Sequence, residues 1–208
     1  MNIQEAYDAW AGQYDTNVNK TRDLEAVALR TTLAAIPIHH CLEIGCGTGK
    51  NTTWYIDKAH TVTAVDQSQG MLDLAREKIS SPKVTFVQAD IQQPWDFVQQ
   101  PYDLVGFSLV LEHIEDLHSI LEKAAAALQP GGYVYIGELH PFKQYTGSMA
   151  RFETTQGTQL VTCFNHHISD FVEAGKQSGL SLIDIEEYFD EDDRKGLPRI
   201  LTLLLKKD

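Results

Sequence analysis

Long apolar runs are missing from this chain: no stretch of its 208 residues approaches the roughly 18 consecutive apolar positions that a membrane-spanning helix needs. Met1-Asn2-Ile3-Gln4-Glu5 also lacks the basic and apolar regions of a signal peptide, so a cytoplasmic location with no membrane partner is expected. Cysteine is scarce. Cys41, Cys46 and Cys163 are odd in number and without CxxC spacing, which excludes a disulfide framework or a ribbon-type zinc site and leaves them as small buried hydrophobes. The neighbours His166 and His167 face different ways on a helix and do not easily ligate one ion, so no metal is expected. Positive charge is short as well: 17 Lys and Arg against 29 Asp and Glu leave a net charge of −12. The cations are scattered, which argues against a nucleic-acid partner. What remains, 43% hydrophobic and 22% charged, is ordinary for a soluble globular protein of one α/β domain with room for a small lid.

The chain is organised around Cys41-Leu42-Glu43-Ile44-Gly45-Cys46-Gly47-Thr48-Gly49-Lys50. A short apolar run closes at Ile44, glycines follow at alternate positions, and Asn51 onward reads as a helix. Glycine at such a turn permits positive φ and removes the Cβ that would hold a ligand away from the backbone. The spacing differs from the dinucleotide fingerprint G-x-G-x-x-G, and Glu43 puts a carboxylate where a diphosphate would be repelled. Glu43 suits a cationic ligand end. Here the sequence resembles motif I, E/D-x-G-x-G-x-G, of the class I S-adenosylmethionine-dependent methyltransferases. That resemblance implies a ligand with a sulfonium and an ammonium group, with S-adenosylhomocysteine as product.

Further landmarks follow in order. Tyr7, Trp10 and Tyr14, with Asp8 and Asp15 beside two of them, lie at helical spacing, which is either core packing or a functional cover. The stretch is similar to the Y-D-x-W-A-x-x-Y-D opening of small-molecule methyltransferases, under which Tyr7 and Tyr14 line the cofactor pocket. Leu24, Val27, Ala28 and Thr31 are expected on the inner face of a second helix that ends before Pro37. Strand one is read as Cys41 to Ile44 with solvated His39 and His40 at its entry, and its helix starts near Gly49. Thr61 to Asp66 is strand two, and Asp66 at its carboxyl end is placed to accept from both hydroxyls of a ribose, or else to cap the next helix. Under the resemblance Gln67 and Met71 flank the adenine. Asp90 and Ile91, after strand three at Val84–Val87, match the positions that meet the adenine amino group and a ring nitrogen, the alternative being an acid that merely caps a turn.

Tyr102–Ser108 is strand four, and Leu109-Val110-Leu111-Glu112-His113-Ile114 after it resembles the small-molecule branch of the family, type 11/12, and not the [D/N]-P-P-[Y/F] tetrapeptide of amino-directed enzymes. Ser108 and Leu109 would present backbone to the methionine moiety, with His113 pointing toward it. Leu117, Ile120, Leu121, Ala124 and Leu128 share a helical face, Pro130-Gly131-Gly132 stops that helix, and Tyr133–Gly137 is strand five. From Glu138 to Phe164 the periodicity weakens; Phe142, Tyr145, Met149, Arg151 and Phe152 make this insertion, residues 138–164, a candidate substrate cover. A helix through Ile168, Phe171, Val172 and Gly175 ends at Gly179. Two apolar runs, Leu180–Phe189 and Arg199–Leu205, are joined by a short acidic link that permits only an antiparallel hairpin. The fold expected for residues 1–208 is a Rossmann-like, mostly parallel seven-stranded sheet with helices on both faces, an antiparallel C-terminal hairpin strand and a helical lid over residues 1–36.

The chemistry implied is methyl transfer by in-line displacement at sulfur to a small-molecule acceptor. A base is needed only if the acceptor loses a proton as it attacks; His140, His167 and Glu138 are the candidates. Two rival readings stay open: a nicotinamide oxidoreductase, and a non-catalytic protein that binds S-adenosylmethionine or its product. The acceptor atom, whether carbon, oxygen or nitrogen, and the oligomeric state also stay open.

Overall fold

A computed structural model of the chain describes residues 3–15, 19–148, 151–154, 157–191 and 194–208, with the backbone alone at 13, 151–154 and 157–160. Four short runs, His40–Ile44 (β1), Thr61–Asp66 (β2), Val84–Gln88 (β3) and Tyr102–Ser108 (β4), pair in parallel, and Leu128–Leu139 (β5) continues the ladder beside β4. Leu180–Tyr188 (β8) and Ile200–Lys207 (β9) form the expected hairpin, and β9 enters the sheet antiparallel to β5. The seven-stranded order is β3-β2-β1-β4-β5-β9-β8. Between β5 and that hairpin lie a short helix, Pro141–Tyr145 (α6), and a small antiparallel pair, Arg151–Thr154 (β6) and Gly157–Leu160 (β7). Met149 lies outside the described residues.

Both faces of the sheet are covered, which is why its inner strands read as apolar runs and not as alternating ones. Leu42, Ile44, Val105, Phe107 and Ile136 pack with helices Leu117–Ala127 (α5) and Ile168–Gln177 (α7). The alternate positions Cys41, Val62, Ala64, Leu104 and Tyr135 pack with Lys20–Thr32 (α2), Thr52–Lys58 (α3) and Gln69–Lys78 (α4). The period of two along each strand divides these residues between the two layers.

Local expectations fail where tertiary contacts override spacing. On α2 the buried residues are Glu25, Ala26, Ala28 and Leu29, whereas Val27 is 52% exposed and Thr31 is also exposed. The stripe is rotated because Glu25 is drawn inward, where it accepts from Asn51 Nδ2 at 2.9 Å and from the Tyr135 hydroxyl at 3.1 Å. α3 begins at Thr52, after the third glycine, because Gly49 with φ +85° is still in the turn. Leu128 belongs to β5 and not to α5; it already pairs with Tyr102, and the Pro130-Gly131-Gly132 segment, with Gly131 at φ +79°, is absorbed where the β4–β5 register shifts. Cys163 is only half-buried, unlike Cys41 and Cys46.

Ile3–Tyr14 (α1) lies against the amino end of α4: Asp8 Oδ1 accepts from Ser68 Oγ at 2.5 Å and from Gly70 N–H at 3.0 Å. Asp15, just beyond it, accepts from Thr48 Oγ1 at 2.7 Å and pairs with Lys78. The aromatic face of α1 is thereby held beside the carboxyl ends of β1, β2 and β4.

Candidate active site

Adjacent strands β1 and β4 leave toward opposite halves of the sheet, and ligands in open α/β folds bind in the crevice outside such a switch point. The turn after β1 is built for close approach. Gly45, Gly47 and Gly49 have φ of +71°, +54° and +85°, and Gly45 and Cys46 donate to the Val65 carbonyl at 2.8 and 3.0 Å. Gly47 N–H donates to Asp66 Oδ2 at 2.8 Å and Ser68 N–H to Oδ1 at 2.8 Å, so the carboxylate is oriented from two sides. Burial pushes the Asp66 carboxyl up from its ordinary range, and these backbone donors oppose the shift.

Opposite that turn, β4 runs into an irregular segment in which Leu109 takes φ +58°, an uncommon value for a branched non-glycine residue. Glu138 holds it there. Its Oε1 accepts from Val110 and Leu111 N–H at 2.8 Å each, and Leu109 N–H donates to the Gly137 carbonyl at 2.8 Å. The 3₁₀ turn Leu111–His113 follows. His113 donates from Nδ1 to the Thr162 carbonyl at 2.8 Å, since a carbonyl only accepts, and Nε2 then accepts from the Tyr7 hydroxyl at 2.8 Å. Glu112, His113 and Cys163 bring three donor atoms within 4.8 Å, but both ring nitrogens are already engaged, so this group is not read as a metal site.

Between these walls lies a cleft whose empty space, open to solvent, is about 740 Å³. Tyr7, Tyr14, Gly45, Gly47, Asp66, Gln67, Met71, Asp90, Ile91, Ser108, Leu109 and His113 all border it. A second recess of about 430 Å³ adjoins it, sharing Tyr14, Gly45, Gly47, Ser108 and Leu109 and adding Arg22, Glu25, Glu43, Lys50 and Asn51. The Arg22 guanidinium lies 4.0 Å over the Tyr14 ring, and Glu43 Oε2 accepts from Thr52 Oγ1 at 2.5 Å. Asn51 Oδ1 is buried without a partner. A recess with two cations beside buried carboxyls that can release a proton when an ammonium binds, and with an unfilled acceptor, fits the zwitterionic end of an amino acid.

The comparisons with known proteins point the same way. The family model of a methyltransferase domain, type 11, matches residues 42–136, which span the glycine turn, Asp66, Asp90 and His113. Residues 42–136 thus carry a methyltransferase domain of the class I, S-adenosylmethionine-dependent kind. It is 34% identical to the malonyl-[acyl-carrier protein] O-methyltransferase of Priestia megaterium over 44% of this chain and 33% of the relative. With the ubiquinone biosynthesis O-methyltransferase of Hydrogenovibrio crunogenus the identity is 29%, over 68% of this chain and 61% of that protein. The chain thus spans a third of the first relative and less than two thirds of the second. The solved complex of DhpI with SAM and HEP superposes with a TM-score of 0.77 at 24% identity, covering 98% of this chain and 95% of that one, a likeness of fold.

Within this methyltransferase the residues expected to touch the cofactor converge on the cavities, with one outside both: Glu43 borders the recess, and Gly49 shapes the turn against the Ile79 side chain. The three expected bases do not border either cavity. Glu138 is 1% exposed behind the 109–111 turn. His140 is fully buried, its Nε2 3.0 Å from Glu187 Oε1 and its Nδ1 accepting from Phe142 N–H, and burial lowers its pKa. His167 is exposed, with Nδ1 2.5 Å from the Tyr145 hydroxyl. Spacing did not point to Glu25, Arg22 or Asn51, because each enters the recess by packing between distant elements; the one usable signal was a glutamate on the apolar side of α2.

Burial raises the Glu43 and Glu138 carboxyls to about 8 each. Both are raised above the unfolded value of about 4.3, so across the window between, the unfolded chain has released protons that the methyltransferase retains. Their contribution to stability is therefore fully present below that window and is lost as pH rises toward 8. Melting temperatures of the ligand-free protein from pH 5 to 8.5 are expected to decline, less steeply in Glu43→Gln. A melting temperature that rises over this interval contradicts the assignment.

Proposed function

We propose that this methyltransferase holds its methyl donor across the two cavities, adenosine in the larger and the amino-acid end in the polar recess, and passes the methyl group to a small-molecule oxygen acceptor. The observation that carries the reading is the continuity of the Asp66 cavity with a recess presenting Arg22 and Lys50 beside Glu25, Glu43 and Asn51. Asp66 accepts from the ribose hydroxyls; the Asp90 carboxylate and the Ile91 N–H meet the adenine edge, with Gln67 and Met71 on its faces. Gly45, Gly47 and Gly49 let the backbone approach, Glu43 faces the ammonium, and Ser108 and Leu109 present backbone to the methionine chain. Tyr7, Tyr14 and the rest of α1 act as the lid, and the 138–164 segment, whose Val161 packs with Ala6 and Trp10 of α1, serves as the acceptor-side cover.

When bound, S-adenosylmethionine supplies a methyl on a sulfonium sulfur, an electrophile that needs alignment and exclusion of water above all. The aromatic lid beside the backbone turn of Leu109 is suited to both. A small-molecule acceptor is supported by the absence of the amino-directing tetrapeptide after β4 and by the net charge of −12. An oxygen acceptor is supported by the two relatives named as O-methyltransferases. Calorimetric titration of the purified protein should show micromolar binding of S-adenosylmethionine and S-adenosylhomocysteine and none of NADH. Binding of NADH alone would overturn the reading.

A further inference from the structure

We propose that His113 is the general base of the reaction and that the acceptor is a neutral hydroxyl compound, an inference that rests on the functional reading above. Among the described residues that border the larger cavity, the titratable groups are Tyr7, Tyr14, Asp66, Asp90 and His113. Asp66 is bound by the N–H groups of Gly47 and Ser68, and Asp90 Oδ1 by that of Gln92 at 2.9 Å. The tyrosines are already protonated acids whose pKa values burial raises further. His113 is the one among them whose nitrogen accepts from a hydroxyl there, Nε2 taking that of Tyr7. Its tautomer is set from behind, since Nδ1–H is anchored on the Thr162 carbonyl and Nε2 is left as the acceptor.

The group now donating to that lone pair is a hydroxyl, that of Tyr7, at 2.8 Å. The geometry therefore shows that an O–H can sit on Nε2 at hydrogen-bond distance within the cavity wall. The Tyr7 hydroxyl marks the place an acceptor hydroxyl takes when the α1 lid shifts. A carboxylate acceptor attacks without losing a proton and would face the Asp66 and Asp90 carboxyls that border the cavity; an amine can enter already deprotonated by solvent. Only a hydroxyl, whose pKa is about 10 or higher, needs a base in contact as it attacks.

In that step the acceptor oxygen bonds to the methyl carbon, and the carbon–sulfur bond breaks with its electron pair staying on sulfur. The O–H proton passes to His113 Nε2. The products are the methyl ether, S-adenosylhomocysteine and an imidazolium, which returns its proton to solvent. Glu112 Oε1, 3.9 Å from Nε2, favours the imidazolium as it forms. The titratable groups in contact with His113 are Tyr7 from α1, Glu112 from its own turn and Cys163 from the segment after β7; Tyr14, Asp66 and Asp90 border the same cavity.

The test uses the full chain, S-adenosylmethionine labelled in the methyl group, and a panel of phenols, catechols, aliphatic alcohols, carboxylic acids and amines. Label is expected in hydroxyl compounds as a base-stable ether. In His113→Gln, kcat should drop by about 10²–10⁴, the usual contribution of a positioned base, while the Kd for S-adenosylhomocysteine stays within about threefold by calorimetry. Two readings on the unmodified chain do not depend on the variant's folding. ¹⁵N spectra should show His113 Nε2 unprotonated and Nδ1 protonated, and kcat should fall in acid. Transfer to amines or carboxylates only, transfer to no member of the panel, a protonated Nε2 in the neutral ring, a flat pH profile, or loss of S-adenosylhomocysteine binding in His113→Gln each overturns the proposal. Failure of the unmodified chain to bind S-adenosylmethionine would instead overturn the functional reading beneath it.

Discussion

Replacing Asp66 with alanine should weaken binding of S-adenosylmethionine and S-adenosylhomocysteine by about 10²–10⁴-fold. The carboxylate spends one lone pair of Oδ2 on Gly47 N–H and one of Oδ1 on Ser68 N–H, each at 2.8 Å, leaving acceptor capacity on both oxygens toward the cavity. Two ribose hydroxyls fill that capacity. Hydrogen bonds to a charged group contribute about 1.5–3 kcal/mol each, so losing both costs about 3–6 kcal/mol, and each 1.4 kcal/mol is about tenfold in affinity. The alanine also frees Gly47 N–H and so loosens the turn that faces the ligand. Asp66→Asn, which keeps one carbonyl acceptor, should fall between the two. Calorimetry on the three proteins, with melting curves to confirm that each is folded, decides the matter; Asp66→Ala binding S-adenosylhomocysteine within about threefold of the parent would remove the ribose contact.

Gly45→Ala is expected to be the most damaging single methyl group in the site. At φ +71° a Cβ forces a left-handed conformation that costs about 1–2 kcal/mol. That Cβ would also collide with Val110 Cγ2 across the β1–β4 crevice, an overpacking worth about 1–3 kcal/mol. The sum, about 2–5 kcal/mol, corresponds to a fall in melting temperature of roughly 4 to 20 °C for a chain of this size. Gly47→Ala is the internal control. Its φ of +54° carries the same backbone cost, but the nearest atom to its Cβ is Tyr14 Cε1 at 3.9 Å, ordinary contact, so only about 1–2 kcal/mol is lost. Equal losses at the two glycines would show that backbone strain, and not the approach of Val110, decides the outcome.

The Gly45 prediction has its origin in the restricted segment that follows β4. Leu109 and Val110 are pressed toward the glycine turn because Glu138, on β5, collects both Val110 and Leu111 N–H on one oxygen. Its other oxygen, Oε2, is buried without a partner, consistent with a carboxyl that burial keeps protonated up to about 8. Glu138 thus shapes the wall of the active site from behind and does not reach into it.

Much of the molecule was legible in the order of residues alone. Strand-forming runs ending at Ile44, Asp66 and Ser108, the alternate glycines and the short link before β9 are local signals, each set by a backbone preference or a side-chain period acting over a few residues. Because the sheet is parallel and its ligands gather at one edge, those local signals also placed Glu43 and Asp66 at a common crevice, and the resemblance to the methyltransferase family added Asp90 and His113. What the sequence by itself could not determine is which polar groups meet across long separations. Tyr7 and His113 are 106 positions apart, Glu25 and Tyr135 are 110 apart, and His140 is closed off by Glu187 from a later strand. A histidine after a strand reads the same whether its ring nitrogens are spent on neighbours or turned toward a ligand. Only the packing of α1, the 3₁₀ turn and the segment after β7 around one imidazole decides that His113 faces the cavity and His140 does not, because the partners that set a tautomer are chosen by tertiary contact and not by spacing.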